Sequence, residues 1–280
     1  MFHSIYKDFL RFLDALETEE VWEAYEKYYY HPHRAFLESY WTTFRWMDVR
    51  QIRDRVRRVR RGDYSTLLAL LTEADLESMA EEALALCMRT FRAPQMPDIY
   101  FMVGFFSADG FVLELKERPV IGFGLERFRS WRPLPVLFAH EYGHYLRHLW
   151  RSDEPYLFDG GTVLPRLLLT EGLCTAFSEW VFPHYPLNEH LFYTEERLRW
   201  CDRNEQYLLD VLDAALRGER ECTIFWSGDA ALGLPPRVGA YLGYRFVKEY
   251  MAKHGDGAIS ALLELRDVTD MWDEQVTRGG

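Results

Sequence analysis

Residues 134–149 spell a helix that an ordinary hydrophobic core would not accept. Apolar side chains at 134, 137, 138, 142, 145 and 149 recur at helical spacing, and Pro133 and Pro135 suit a first helical turn. The same segment carries His140, Glu141 and His144 in the order HEYGH. Residues four apart share a helix face, so both imidazoles can converge on one metal ion. Glu141 follows the first histidine by one position and points about 100° around the helix from it, within reach of a water at the metal without ligating it. Burying such groups in a core-packed helix is costly without a partner, and a metal supplies one. The HExxH pattern therefore predicts a metal-activated water beside a carboxylate that takes its proton, the working part of a zinc hydrolase. Coincidence is the competing explanation in a chain with 9 histidines.

Zinc in a catalytic site takes a third protein ligand and keeps one position open. The extended motif HExxHxxGxxH would need glycine at 147 and histidine at 150, and this chain has Arg147 and Trp150. His148 continues the four-residue series but drifts about 80° from His140 over two turns, which suits a surface or supporting position. Glu171 is the better candidate. Apolar residues at 164, 168, 173, 176, 177 and 180 predict a second helix beginning near Pro165, after a polar, glycine-bearing stretch at 151–162. A loop of that size lets two helices pack side by side. Gly172 next to Glu171 leaves room for close approach, and Glu179, about two turns later, is the alternative ligand. The competing reading of Glu171 is a solvated helix face.

HEYGH, the Glu171-Gly172-Leu173 segment with Ser178 and Glu179 behind it, and the later run RVGAYLGYRFV at 237–247 together resemble a family of predicted zinc-dependent proteases of the gluzincin type, a domain of uncharacterised function. The resemblance covers roughly residues 98–265 and extends weakly into 28–40. It implies an α+β, mostly helical fold with a zincin-like (thermolysin-like) metallopeptidase core and a small β-sheet next to the HExxH helix. It also implies His140, His144 and Glu171 as zinc ligands and Glu141 as catalytic base and acid. Cys174 departs from the pattern, where a small residue such as alanine is expected, and places a thiol one helical turn from Glu171. Oxidation there could disable the site, although a buried cysteine is more often a small hydrophobe.

The rest of the chain supplies the setting. Residues 4–92 carry helical periodicity, and Ala93-Pro94-Gln95-Met96-Pro97 breaks it, giving an expected helical region at 1–95 and a catalytic region at 96–280. Three strands are expected at 99–105, 111–115 and 119–125, with a turn at Ser107-Ala108-Asp109-Gly110. By the resemblance, the third is an edge strand beside the metal helix that can pair with an extended substrate, backbone to backbone. Helical pattern returns over about 187–217, 236–253 and 256–267, and the tail from Asp270 is polar. In the 236–253 segment Tyr241 and Tyr244 lie three apart, with Arg237 a turn earlier. Tyr241 first and Tyr244 second are the candidate donors to the oxyanion of a tetrahedral intermediate. Tyrosines on a helix face in so aromatic a chain also serve as packing residues. His254 is expected to cap that helix, and His31 and His33 to lie at the surface.

Composition narrows the partners. A net charge of −11 argues against nucleic acid as the default partner. The run at 50–61 holds seven arginines against one aspartate, and is expected to be a solvated face paired with acidic neighbours. No apolar stretch is long enough to predict a transmembrane helix, and the N-terminus carries no apolar signal core. Cys87, Cys174, Cys201 and Cys222 form no CxxC pair and read as reduced, buried thiols in a cytoplasmic protein. The leading expectation is a zinc metallopeptidase acting on a peptide or protein. The alternatives are a zinc hydrolase of another amide or ester, and a non-catalytic helical interaction protein with a structural zinc site. An intact Glu141 speaks against the last, because a purely structural site needs no base.

Overall fold

A computed structural model describes residues 1–44, 49–151, 164–255 and 258–269. The polar stretch expected at 151–162 therefore falls, beyond Arg151, outside the described residues, as does the tail from Asp270. The fold is α+β and mostly helical with one small sheet, as expected. Contacts divide the chain into a unit at Met1–Tyr145 and a unit at Leu146–Gly280. The expected 95/96 boundary at the proline-bearing segment lies inside the first of these.

In the first unit the strands are β1 (Phe2–His3), β2 (Asp98–Met102), β3 (Gly110–Leu115) and β4 (Arg118–Gly124). Its helices are α1 (Tyr6–Ala15), α2 (Val21–Tyr25), α3 (Arg34–Phe44), α4 (Val49–Val56), α5 (Ser65–Glu73) and α6 (Leu76–Thr90). Helix α7 (Leu134–Trp150) begins in this unit and ends in the next. The sheet order is β1-β2-β4-β3, with β1 and β4 parallel to β2 and β3 antiparallel to β4. Two findings correct the sequence reading. A two-residue strand at Phe2–His3, too short to show periodicity, joins the sheet from the far end of the helical region. The third expected strand is not an edge, because β4 is paired on both sides and β3 takes the edge position.

Alternation along the strands then places α7. Phe101 and Phe123 lie on one sheet face, and Phe123 stacks on Phe138 of α7 at 5.4 Å. The Tyr142 hydroxyl donates to Phe91 O (3.0 Å) and accepts from Ala93 N–H (3.0 Å), which ties the middle of α7 to the end of α6. On the opposite face Phe36 of α3 stacks on Tyr100 at 4.1 Å. His31 is exposed as expected, and His33 is half-buried and paired with Asp8 at 2.7 Å. In the arginine run Arg61 pairs with Asp14, Arg53 lies over the Trp22 ring and Arg55 donates to Phe105 O. Only part of the expected acidic pairing is thus present among these side chains.

The second unit contains α8 (Leu164–Val181), α9 (Leu187–His190), α10 (Glu195–Arg203), α11 (Glu205–Leu216), α12 (Ile224–Ser227), α13 (Val238–His254) and α14 (Ala258–Glu264). The expected helix at 187–217 is three helices, broken where Phe192 turns left-handed (φ 54°) and again at Asn204. Glycines let α8 and α13 meet at backbone contact. A Cβ on Gly172 would stand 2.2 Å from the Gly243 carbonyl, and one on Gly243 would stand 2.0 Å from Leu168 O. This revises the reason for Gly172, whose bareness serves helix packing. Arg147, in the last turns of α7, is buried and donates to Leu262 O (3.1 Å), Leu263 O (2.9 Å) and Arg266 O (3.1 Å), capping the end of α14. His254 accepts the role expected of it, its Nδ1 lying 2.9 Å from Tyr250 O. Cys87, Cys174 and Cys201 are buried as expected, but Cys222 is exposed.

Candidate metal centre

The spacing of the HExxH residues produces the expected convergence. His140 Nε2 and His144 Nε2 stand 3.2 Å apart, with His140 buried and His144 half-buried. Two ligands held about 2.0–2.1 Å from one tetrahedral zinc stand about 3.3 Å apart, so the imidazole pair has the separation that a shared ion requires. Glu171 of α8 completes the group. One ligand atom from each of His140, His144 and Glu171 lies within 4.8 Å of the others. Among the described residues this is the one set of three or more such side chains gathered closely enough to hold a metal. Two borderline nitrogens and one hard oxygen suit zinc. The donors present fit the ion that the motif predicts.

Glu141 is 5 % exposed, and the reason lies in the sheet. Gly110 opens β3 opposite Phe123, on the face that meets α7. A Cβ there would stand 2.7 Å from Glu141 Cγ and 2.8 Å from its Oε1. Glycine is thus required for the strand to lie against the carboxylate. Gly124 N–H donates to Asp109 O (3.0 Å), which sets the phase of the antiparallel ladder. Residues 109, 111, 113 and 115 bond inward to β4, while the backbone groups of Gly110, Val112 and Glu114 point off the edge, where no further strand pairs among the described residues. Glu114 O is taken by Ser39 Oγ (2.6 Å). The first half of the edge is the part beside Glu141.

The alternative ligand, Glu179, is engaged elsewhere. Its Oε2 accepts from Tyr244 Oη (3.0 Å) and Lys248 Nζ (2.8 Å). Tyr241 Oη donates to Asp202 Oδ1 (3.0 Å) and Glu205 Oε2 (3.3 Å). The two candidate oxyanion donors therefore hold different carboxylates, although they share a helix and line one pocket with Arg245 and Lys248. Burial raises the pKa of both phenols, and the neighbouring carboxylates raise it further, so each stays a protonated donor.

Residues 120–269, slightly more than half of the chain, match the family model described as "Predicted Zn-dependent protease (DUF2268)". The chain belongs to that family. No curated protein and no solved structure matches it. The DUF2268 match runs from β4 to the residues after α14 and includes every residue of the His140, His144 and Glu171 group. It begins after Gly110 and the open edge of β3, so those features belong to the part of the chain outside the family match.

Sequence reasoning missed a second buried carboxylate. Glu126 is 3 % exposed, and its Oε1 accepts from Gly104 N–H (2.7 Å) and Phe106 N–H (2.8 Å). Burial pushes its pKa up to about 7, against the lowering effect of those backbone donors. Nothing in the local sequence signals this, because Glu126 is followed directly by Arg127 and then by Arg129.

Proposed function

We propose that this protein is a zinc metallopeptidase of the HExxH-plus-glutamate, gluzincin type, with His140, His144 and Glu171 as metal ligands. The observation that carries the reading is the gathering of these three donors around one point on a helix whose intervening Glu141 is buried against a strand. Zinc held by such donors supplies a Lewis acid that makes water acidic and polarises a carbonyl. Glu141 accepts the proton of the attacking water as it adds to the scissile carbonyl, and returns it to the leaving amine. Tyr241 or Tyr244 donates to the oxyanion, after releasing the carboxylate it now holds. Packing of α7 on the sheet supports a thermolysin-like core. The open backbone groups of Gly110 and Val112 offer an extended peptide a place to add as a strand, which moves the expected substrate edge from β4 to β3. The free thiols favour a reducing, cytoplasmic setting.

The experiment is metal analysis and peptide hydrolysis on three proteins. Wild type is expected to carry about one zinc per chain. Glu171→Ala should lose most of that metal. Glu141→Gln should keep it and lose turnover by about 10²-fold or more. Unchanged zinc in Glu171→Ala would move the third ligand elsewhere, and full activity in Glu141→Gln would remove the assigned base.

A further inference from the structure

The segment between β2 and β3 is built at a cost that its connecting role does not explain. Phe105 and Phe106 are consecutive left-handed residues, at φ 59° and 61°. Bulky side chains rarely adopt that conformation, and where they do, the surrounding structure must enforce it. Here it is enforced at almost every residue. Gly104 N–H and Phe106 N–H donate to the buried Glu126 carboxylate. Ser107 Oγ donates to Gly104 O (2.5 Å) and bonds the Tyr40 hydroxyl. Arg55 donates to Phe105 O (3.2 Å), and Arg127 donates to Phe106 O (3.3 Å) and to Asp109. Gly124 leaves the space that Ala108 O occupies, since a Cβ there would stand 2.2 Å from that oxygen.

The clamp turns Phe105 inward and Phe106 outward. Phe105 is 6 % exposed, whereas Phe106 is 39 % exposed and rests one ring face on Tyr64 at 5.7 Å. Four residues later Gly110 lies against Glu141. Four residues of extended chain span at most about 14 Å, so Phe106 stands within a few residues' reach of a peptide laid along the β3 edge. A strained segment, a buried carboxyl group that holds it and an exposed aromatic ring thus lie in the connection that leads into the strand beside Glu141.

We propose that residues 104–109 form a rigid substrate-recognition loop in which Phe106 contacts an apolar side chain of the bound peptide. The inference rests on the peptidase reading and names the substrate class for it, peptides with an aromatic or large aliphatic residue near the scissile bond. Phe106 acts as a specificity-determining residue, and Glu126 as a positioning residue that fixes its backbone.

The test is a cleavage profile of zinc-loaded protein on a mixed peptide library, followed by kinetics on the best substrate. Wild type is expected to favour peptides with an apolar residue at one fixed position. Phe106→Ala should lose that preference and raise KM about tenfold, with kcat changed less than twofold and zinc content unchanged. Phe106→Leu should recover most of the loss, which separates a contact from a folding defect. A Phe106→Ala profile identical to wild type would overturn the inference and leave the peptidase reading standing. A wild-type protein that holds zinc and cleaves no peptide would overturn both.

Discussion

Glu126 and Glu141 are both almost fully buried, yet their surroundings suit them to different work. Glu141 lies on α7 beside the backbone of Gly110, with two imidazoles on neighbouring turns. Glu126 faces backbone N–H groups and buried aromatic rings, and its pKa is raised to about 7 from an ordinary value of 4.5, first by desolvation. A raised pKa means that the folded state holds the proton more tightly than the unfolded chain. The associated stability is complete below pH 4.5 and is lost as the pH rises to about 7. At 1.36 kcal/mol per pKa unit the loss is about 3 kcal/mol. Urea unfolding of wild type should therefore show stability falling across that window, and Glu126→Gln should fall less by about that amount. Parallel curves for the two proteins would mean that Glu126 does not titrate there. Histidine titration in the same range is common to both proteins and cancels in the comparison. At this scale HExxH was legible because its spacing is a local property of one helix. Glu126 was not, because its burial depends on residues about twenty positions away in the chain.

Helix packing shows the same division between elements. The patterns at 134–149 and 164–180 predicted α7 and α8 nearly to their observed ends, since apolar periodicity records the face that must leave water. Which element meets which face was not recorded. Gly172 and Gly243 are ordinary in the sequence, but together they allow α8 and α13 to touch along their backbones. We predict that Gly243→Ala forces the two helices apart and destabilises the protein by about 3 kcal/mol, lowering Tm by about 6–12 °C. Zinc content should fall with it, because α8 carries Glu171. Differential scanning calorimetry with parallel metal analysis checks both, and a wild-type Tm in the variant would refute the backbone contact. The correction at the sheet has the same origin. The apolar run at 119–125 identifies β4 as a strand, but its neighbours on both sides are set by chain crossing, which includes a strand from residues 2–3.

For the whole molecule, the proposed function links metal binding to stability. A ligand that binds only the native state adds RT ln(1 + [L]/Kd), about 4 kcal/mol at a thousandfold excess over Kd. Removing zinc by chelation should therefore lower Tm by several degrees, and stoichiometric zinc should restore it. The same treatment of Glu171→Ala should move Tm much less. An identical response in both proteins would place the stabilising ion elsewhere. Among the described residues no helix is long and apolar enough to cross a membrane.

Sequence alone determined α7 and α8, the three longer strands and the pair of histidines with Glu141 between them, because each depends on side-chain chemistry repeated within a few turns. It also placed the candidates for a third ligand on the second helix, with Glu171 ahead of Glu179. Tertiary structure decided the rest. It brought Glu171 to the histidines and gave Glu179 to Tyr244 and Lys248. It set β3 at the edge of the sheet beside Glu141 and folded Phe105 and Phe106 around a buried carboxylate. These features join groups distant along the chain, and their energies come from desolvation and backbone hydrogen bonds that exist only once those groups have met.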